Sequence, residues 1–387
     1  MNIQSKPIGL YIHIPFCAGK CPYCDFYSLA ADENTMDEYT AAVMNTIPTW
    51  AAKLNRPFDT LYFGGGTPSL IGAERLAKLV DAAFSAFGTD VGRVLAPAAV
   101  PRKSVEITIE CNPFNVGTVD ARFDFAELSA AGVNRISLGL QSAVDTERAA
   151  LGRKGVAADV TRAVERAKLA GITNISLDLM LGIPGQTLES LKRSIDFCAE
   201  SGITHVSAYM LKIEEGTPFA AQKEKLMLPT EDEYCAFYLT ACEELEKAGF
   251  MQYEISNFAR KGFESRHNLK YWNCEEYLGI GPAAHSFIDG RRFYYERDLT
   301  GFMNRNKPVQ DGEGGDFYEY AMLRLRLNEG LKEDETLDRY RFCIPEQMRE
   351  RAMIFEAQGL LISDVKGIRF TLKGFLLSNK IIGDLLV

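Results

Sequence analysis

Cys17, Cys21 and Cys24 fall within eight residues, in the run Cys-Ala-Gly-Lys-Cys-Pro-Tyr-Cys. Three thiolates spaced C-x3-C-x2-C on one tight loop can each hold one iron of a cubane [4Fe–4S] cluster. The fourth iron then has no protein thiolate and is open to a small chelating molecule. The amino-acid end of S-adenosylmethionine (SAM) suits that position. Other readings compete. A structural zinc site needs four closed ligands, and the nearest fourth candidate is His13. A redox pair of Cys21 and Cys24 would leave Cys17 without a role. Chance clustering of free thiols is the last alternative.

More polar residues recur at regular intervals after apolar runs. They are Gly64-Gly65-Gly66-Thr67-Pro68, Glu110, Gln141-Ser142, Asp178, and Lys212 with Glu214. A glycine triplet lets a ligand approach the backbone and is expected to leave amide groups free for it. Taken singly, each has a plain structural reading. Glu110 or Asp178 can be a buried, paired carboxylate, and Gln141 can satisfy loop backbone. Taken together they describe one site at one rim. SAM offers a ribose diol, an ammonium, a carboxylate and an adenine to such groups.

The elements that must position them follow from the pattern. Strands are expected over 10–15, 60–63, 105–110, 135–140, 174–181 and 205–212, read as continuous apolar runs rather than clean alternation. Helices are expected over 35–54, 73–87, 121–131, 158–170, 188–201 and 231–248, several ending in glycine. Repeated strand–helix units demand a parallel sheet with right-handed crossovers. The expected fold class is α/β, an open partial (β/α)6 barrel related to the TIM barrel, whose strand C-termini carry the chemistry. A surface loop is expected over 88–103, and a less regular, aromatic- and glycine-rich region over 250–310. Helices at 317–328 and 345–358, a hairpin at 360–372 and a last helix at 374–386 describe a small α+β, winged-helix-like module. The expected domains are 1–310 and 311–387.

Composition limits the function classes. The chain has 387 residues, 47% hydrophobic and 25% charged, with a formal net charge of −9. An acidic balance argues against a nucleic-acid partner. No apolar run reaches the roughly 20 residues of a membrane helix, and the opening MNIQSKPIGLYIHIP lacks signal-peptide features. A cytoplasmic protein with reduced thiols is expected. Cys111, Cys198, Cys235, Cys242, Cys274 and Cys343 are scattered and are expected to be small buried apolar side chains.

The sequence resembles the radical SAM superfamily, in its anaerobic coproporphyrinogen-oxidase-like branch. The resemblance rests on C-x3-C-x2-C, on the glycine turn, which is similar to that superfamily's ammonium-binding motif, and on LYIHIPFC, LYFGGGTPS, IECNP, RISLGLQS with LGRKG, DLMLGIPGQT and YEISNFAR. It spans nearly the whole chain, including the C-terminal module. Within that branch it is most similar to the haem chaperones. The oxidases carry a further cysteine where this chain has Phe26, and His267-Asn268-Leu269-Lys270-Tyr271-Trp272 resembles the chaperones' HNxxYW motif.

The resemblance implies a [4Fe–4S] cluster on Cys17, Cys21 and Cys24. It implies SAM contacts from Tyr11, Tyr23, Gly65, Gly66, Thr67, Glu110, Gln141, Arg153 and Asp178, and more loosely from Lys212 and His285. Where the family often reads Arg-x-His, this chain has Arg153-Lys154-Gly155. It also implies haem, passed to an acceptor apoprotein, with transient contact to a membrane protein allowed; the alternative is a porphyrin-modifying enzyme. Haem needs an axial ligand. Of His13, His205, His267 and His285, the expected ligand is His267, with Tyr271 and Trp272 packing on the porphyrin. Cys274 is the alternative ligand, and Arg260, Lys261 and Arg266 are propionate partners. His267 can equally be structural, with Asn268 and Trp272 bracing the barrel mouth.

Overall fold

The structure is a computed structural model that describes residues 6–88, 101–118 and 123–387. Positions 89–100 of the expected loop, and 121–122 of the expected third helix, lie outside the described residues.

Six strands run parallel in sequence order: β1 (Ile8–Ile14), β2 (Phe58–Gly65), β3 (Glu106–Cys111), β4 (Arg135–Gln141), β5 (Asn174–Leu181) and β6 (His205–Met210). Helices over Glu33–Leu54, Ala73–Phe87, Phe125–Ala130, Ala157–Leu169, Leu188–Glu200 and Glu231–Lys247 follow them in turn. The first helix starts where the Asp32 side chain accepts the Thr35 N–H, and stops at left-handed Asn55. Met36, Tyr39, Val43, Ile47 and Trp50 form its buried stripe. The last begins in a capping box of Thr230 and Glu233.

The expectation of continuous apolar strands is corrected. Over most of their length the strands alternate between an apolar and a polar face. Leu10, Ile12 and Ile14, Leu61 and Phe63, Ile107 and Ile109, Ile136 and Leu138, and Leu177 and Leu179 are fully buried in the core. The other face carries Tyr11, Tyr62, Thr108 and Arg135 in one register row, and Glu110, Ser137, Ser176 and His205 in the next. Registered neighbours share a face of the sheet. His205 on β6 meets the Tyr253 hydroxyl at 2.9 Å, Ser265 N–H donates to that hydroxyl at 3.3 Å, and His267, two residues on, lies 2.7 Å from Thr60 Oγ1 on β2. Four strand spacings would put β2 and β6 about 19 Å apart in a flat sheet, so the sheet curls and its polar face looks inward.

The region 250–310 is more ordered than expected. β7 (Met251–Gln252) and β8 (Asn257–Ala259) extend the β6 edge antiparallel. On the other side β9 (Tyr277–Ile280) pairs parallel with β1. β10 (His285–Ile288), β11 (Arg291–Tyr294) and β12 (Val309–Glu313) continue antiparallel, giving a twelve-stranded sheet. These strands are only two to five residues long, too short for a period to stand out in sequence. β12 crosses position 310/311. Beyond it lie helices over Phe317–Arg324, Glu333–Tyr340 and Glu346–Glu356, a three-stranded sheet of β13 (Leu331–Lys332), β15 (Gly367–Phe370) and β14 (Leu361–Asp364), and two short helices over Leu372–Phe375 and Ser378–Leu385. The expected last helix is thus two.

Trp50 ties the first helix to the added strands, stacking on Phe293 at 5.2 Å between ring centroids and donating to the Tyr295 hydroxyl at 2.9 Å. Trp50→Ala is expected to cost roughly 3–5 kcal/mol, read as a lower urea midpoint by circular dichroism. An unchanged midpoint would show that the added strands do not depend on this contact.

Candidate functional site

The three cysteines sit on the loop that leaves β1. Its base is closed where Cys17 N–H donates to Leu29 O at 3.0 Å and Leu29 N–H to Pro15 O at 2.8 Å. The Cys24 N–H donates to Cys21 O at 3.1 Å, tightening the tip. The loop is then bound sideways to the turn after β2. Gly66 N–H donates to Ile14 O at 2.8 Å, and Thr67 N–H to Phe16 O at 2.7 Å. Thr67 Oγ1 reaches Cys17 Sγ at 3.3 Å.

These contacts correct the expectation of free amides. Gly66 and Thr67 spend their N–H groups on β1, and Gly65 N–H donates to Glu110 Oε2 at 3.2 Å. Among the described residues Gly66 O has no hydrogen-bond donor, so the turn offers a carbonyl, a group suited to an ammonium. The glycines are needed for closeness. A Cβ on Gly66 would lie 2.6 Å from Phe16 O, and one on Gly65, at φ +112°, 2.5 Å from the His13 ring.

His13 is not poised as a fourth metal ligand. Its Nε2 lies 3.0 Å from the Tyr27 carbonyl, which can only accept, so Nε2 carries the proton. Nδ1 therefore accepts from the Tyr11 hydroxyl at 3.0 Å. Burial lowers the His13 pKa to about 4. Among the described residues no three His, Cys, Asp or Glu side chains converge on a single ion. A cubane asks for something else, three sulfurs set apart on three different irons. All three thiols are unpaired and half-buried on one loop, so the donor set fits that group.

Arg153 backs the loop. Its Nη2 donates to Gly139 O at 2.9 Å and Nη1 lies 3.9 Å from Cys21 Sγ, while buried Nε has no partner among the described residues. Tyr23 packs with Leu151, Met180, Ile183, Leu211 and Phe219. Glu110, at the end of β3, accepts from the Tyr62 hydroxyl at 2.8 Å. Burial pushes its carboxyl up to about 7, and neighbouring Asp178 adds to the rise. Asp178 accepts from Ser137 Oγ at 3.0 Å and is likewise raised by burial. Gln141 holds φ +66°, left-handed for a non-glycine residue. Such backbone strain persists where the surroundings fix it, often at binding sites. Nothing in the sequence marks that conformation.

Tyr23, Gly65, Gly66, Thr67, Gln141 and Arg153 therefore gather at the C-terminal rim of the parallel strands, with Glu110 and Asp178 on the inner face behind it; Tyr11 lies deeper, in the register row of Arg135 and 6.4 Å from the His267 ring. Lys212 does not join them; it is exposed and pairs with Glu214 at 2.8 Å. His285 opens β10, exposed and stacked on Tyr294.

The expected haem residues lie elsewhere. His267, 1% exposed, sits on the helix Arg266–Trp272. Thr60 Oγ1 lies 2.7 Å from its Nδ1 and the Tyr271 hydroxyl 2.8 Å from its Nε2, and its ring stacks on Tyr62. Burial lowers its pKa to about 3. Both ring nitrogens are engaged within the core, an arrangement that matches the structural role, though through Thr60, Tyr62 and Tyr271 instead of Asn268 and Trp272. Arg266 bonds Ser104 O at 2.7 Å, ahead of β3, and Arg260 bonds Ile203 O at 3.2 Å, ahead of β6. These cations mark the N-terminal rim, opposite the cysteine loop. Cys274, 2% exposed, is a core residue. Cys111, Cys198 and Cys242 are buried as expected, whereas Cys235 is half-buried and Cys343 exposed.

Gly66→Ala is expected to forbid the closure of the cysteine loop on the glycine turn. After anaerobic reconstitution the variant should hold less than about half the wild-type iron and sulfide while keeping its far-ultraviolet circular dichroism. His267→Ala should cost about 3 kcal/mol or more in urea unfolding, because it removes two buried hydrogen bonds and a ring stack.

A family model described as Radical SAM superfamily matches residues 11–198. The heme chaperone HemW of Bacillus subtilis is 33% identical, covering 97% of this chain and 98% of its own length. The heme chaperone HemW of Mycobacterium tuberculosis is 36% identical, covering 99% and 96%. Among solved structures, coproporphyrinogen III oxidase (HemN) from Escherichia coli superposes with a TM-score of 0.81 at 22% identity, over 99% of this chain and 90% of that one, a likeness of fold. With the family model on the half that carries the cysteine loop and full-length relatives above 30% identity, the chain belongs to the HemW family of the radical SAM superfamily.

Proposed function

We propose that this chain is a haem chaperone that carries a [4Fe–4S] cluster with SAM and hands haem to an acceptor apoprotein. The observation that supports it most is likeness to curated haem chaperones along almost the full length of both chains. No helix among the described residues is long and apolar enough to cross a membrane. In this reading the strands β1 to β6 form a partial (β/α)6 barrel within residues 1–310, and residues 311–387 form the winged-helix-like module.

Cys17, Cys21 and Cys24 would hold the cluster. Gly66 O would accept from the ammonium, and Arg153, whose buried Nε has no partner among the described residues, would meet the carboxylate. Glu110 and Asp178 supply acceptors for the ribose diol, Gln141 reads the adenine side, and Tyr11 and Tyr23 wall the pocket. When bound, a reduced cluster supplies one electron to a sulfonium beside it. The chain's own work is to position that sulfonium and to keep water from it. In the SAM-cleaving alternative the same residues would serve a porphyrin-modifying enzyme, which the fold of the Escherichia coli oxidase allows.

The decisive measurement is anaerobic reconstitution followed by electron paramagnetic resonance and haem titration. A cubane signal lost in Cys21→Ala, together with saturable haem uptake, supports the proposal. Conversion of coproporphyrinogen III with reductant would favour the enzyme instead.

Glu110 adds a pH dependence. Its folded pKa of about 7 exceeds the ordinary 4.5, so it holds a proton below pH 7 and accepts diol hydroxyls fully only above it. SAM affinity should rise through pH 7 in the wild type. In Glu110→Gln it should be weaker and flat with pH.

A further inference from the structure

A histidine that serves as axial haem ligand must offer a nitrogen lone pair on a reachable side chain. Three of the chain's four histidines offer none. His13 is engaged by Tyr11 and Tyr27, His267 by Thr60 and Tyr271. His205 is fully buried, with Ser176 Oγ 2.8 Å from Nδ1 and the Tyr253 hydroxyl 2.9 Å from Nε2. His285 is exposed, and among the described residues neither of its ring nitrogens has a hydrogen-bond partner.

Its place in the sheet is as telling as its exposure. β9 runs parallel to β1, and β10 runs back along β9, so His285 starts β10 on the side of the sheet towards which β1 releases the cysteine loop. Phe293 stacks on Trp50 of the first helix, on the outer face. Tyr294, next along β11, therefore points to the inner face, the one that carries Tyr11 and Tyr62. His285 pairs with Tyr294, and Tyr294 with Val309 on β12, so all three share that face. The imidazole stacks on the Tyr294 ring at 5.1 Å and 24°.

Three strands set ~4.8 Å apart make this row about 10 Å wide, comparable with a porphyrin. Phe26, beside the cysteine loop, is 66% exposed. Arg297 pairs with Asp25 at 3.5 Å, with 63% of its side chain still exposed. An exposed pair of this kind holds its cation weakly, so Arg297 can turn to a propionate.

We infer that His285 is the haem-iron ligand of this chain, on an inner-face platform of His285, Tyr294 and Val309 at the cysteine-loop rim, with Arg297 serving a propionate. The inference rests on the haem-chaperone reading and names the residue that reading lacks. It moves His285 from the SAM contacts to the cargo, and it puts haem at the same rim as the cluster.

The test is ferric haem titrated into the anaerobically reconstituted full-length chain, followed by absorbance and by electron paramagnetic resonance of the haem iron. His285→Ala is expected to weaken uptake by roughly tenfold or more, to remove the imidazole-ligated spectrum, and to regain it with free imidazole. His285→Gln, which keeps a polar side chain on the strand, should show the same loss with cluster content unchanged. If the wild type takes up no haem, the chaperone reading itself falls. If the wild type takes up haem and both variants match its spectrum and affinity, His285 is not the ligand and the chaperone reading stands.

Discussion

Two backbone hydrogen bonds carry the site: Gly66 N–H to Ile14 O, and Thr67 N–H to Phe16 O. They bind the turn after β2 to the departing end of β1, from which the cysteine loop springs. Closure at Leu29 fixes the loop's other end. With both ends held, the three sulfurs can stay on one side of the rim without a metal to gather them, which limits the entropy that a cluster must overcome on binding. The glycines are the cost of that closeness. A Cβ on Gly66 would lie only 2.6 Å from the Phe16 carbonyl oxygen.

The inward face of the sheet is built on a second constraint. A lumen lined with Tyr62, Glu110, Arg135, Ser137, Asp178 and His205 must satisfy its polar groups away from bulk water. Much of it is satisfied in pairs: Tyr62 with Glu110, Ser137 with Asp178, Ser176 with His205. The helix Arg266–Trp272 plugs the N-terminal end. Glu106 accepts the N–H groups of Arg266 and His267 at its first turn, where a carboxylate also complements the helix dipole. His267 then braces Thr60, Tyr62 and Tyr271. The helix that carries this motif is, in three dimensions, a stopper, with both His267 nitrogens already partnered. Among the four histidines, the one left open is His285, at the start of a short added strand.

Much of this was legible in the sequence. The six parallel strands, their helices and the loop with three cysteines follow from local signals: β-branched runs, N-caps, terminal glycines, and thiol spacing within one turn. The strand ends at Glu110 and Gln141 could be aligned because a parallel sheet brings all its C-termini to one rim. The alternation along the strands was missed because Tyr, Thr and Ser count as tolerable in an apolar run, yet here they are the inner face.

What the chain's residues determine alone is therefore what depends on neighbours in sequence: element order, the cysteine spacing, the glycine turn. What only the tertiary structure decided is which polar atoms already have partners. The amides of Gly65, Gly66 and Thr67, and both nitrogens of His13, His205 and His267, are claimed by groups up to 207 residues away. Hydrogen-bond saturation is a property of contact geometry, and contact at that separation leaves no periodicity to read.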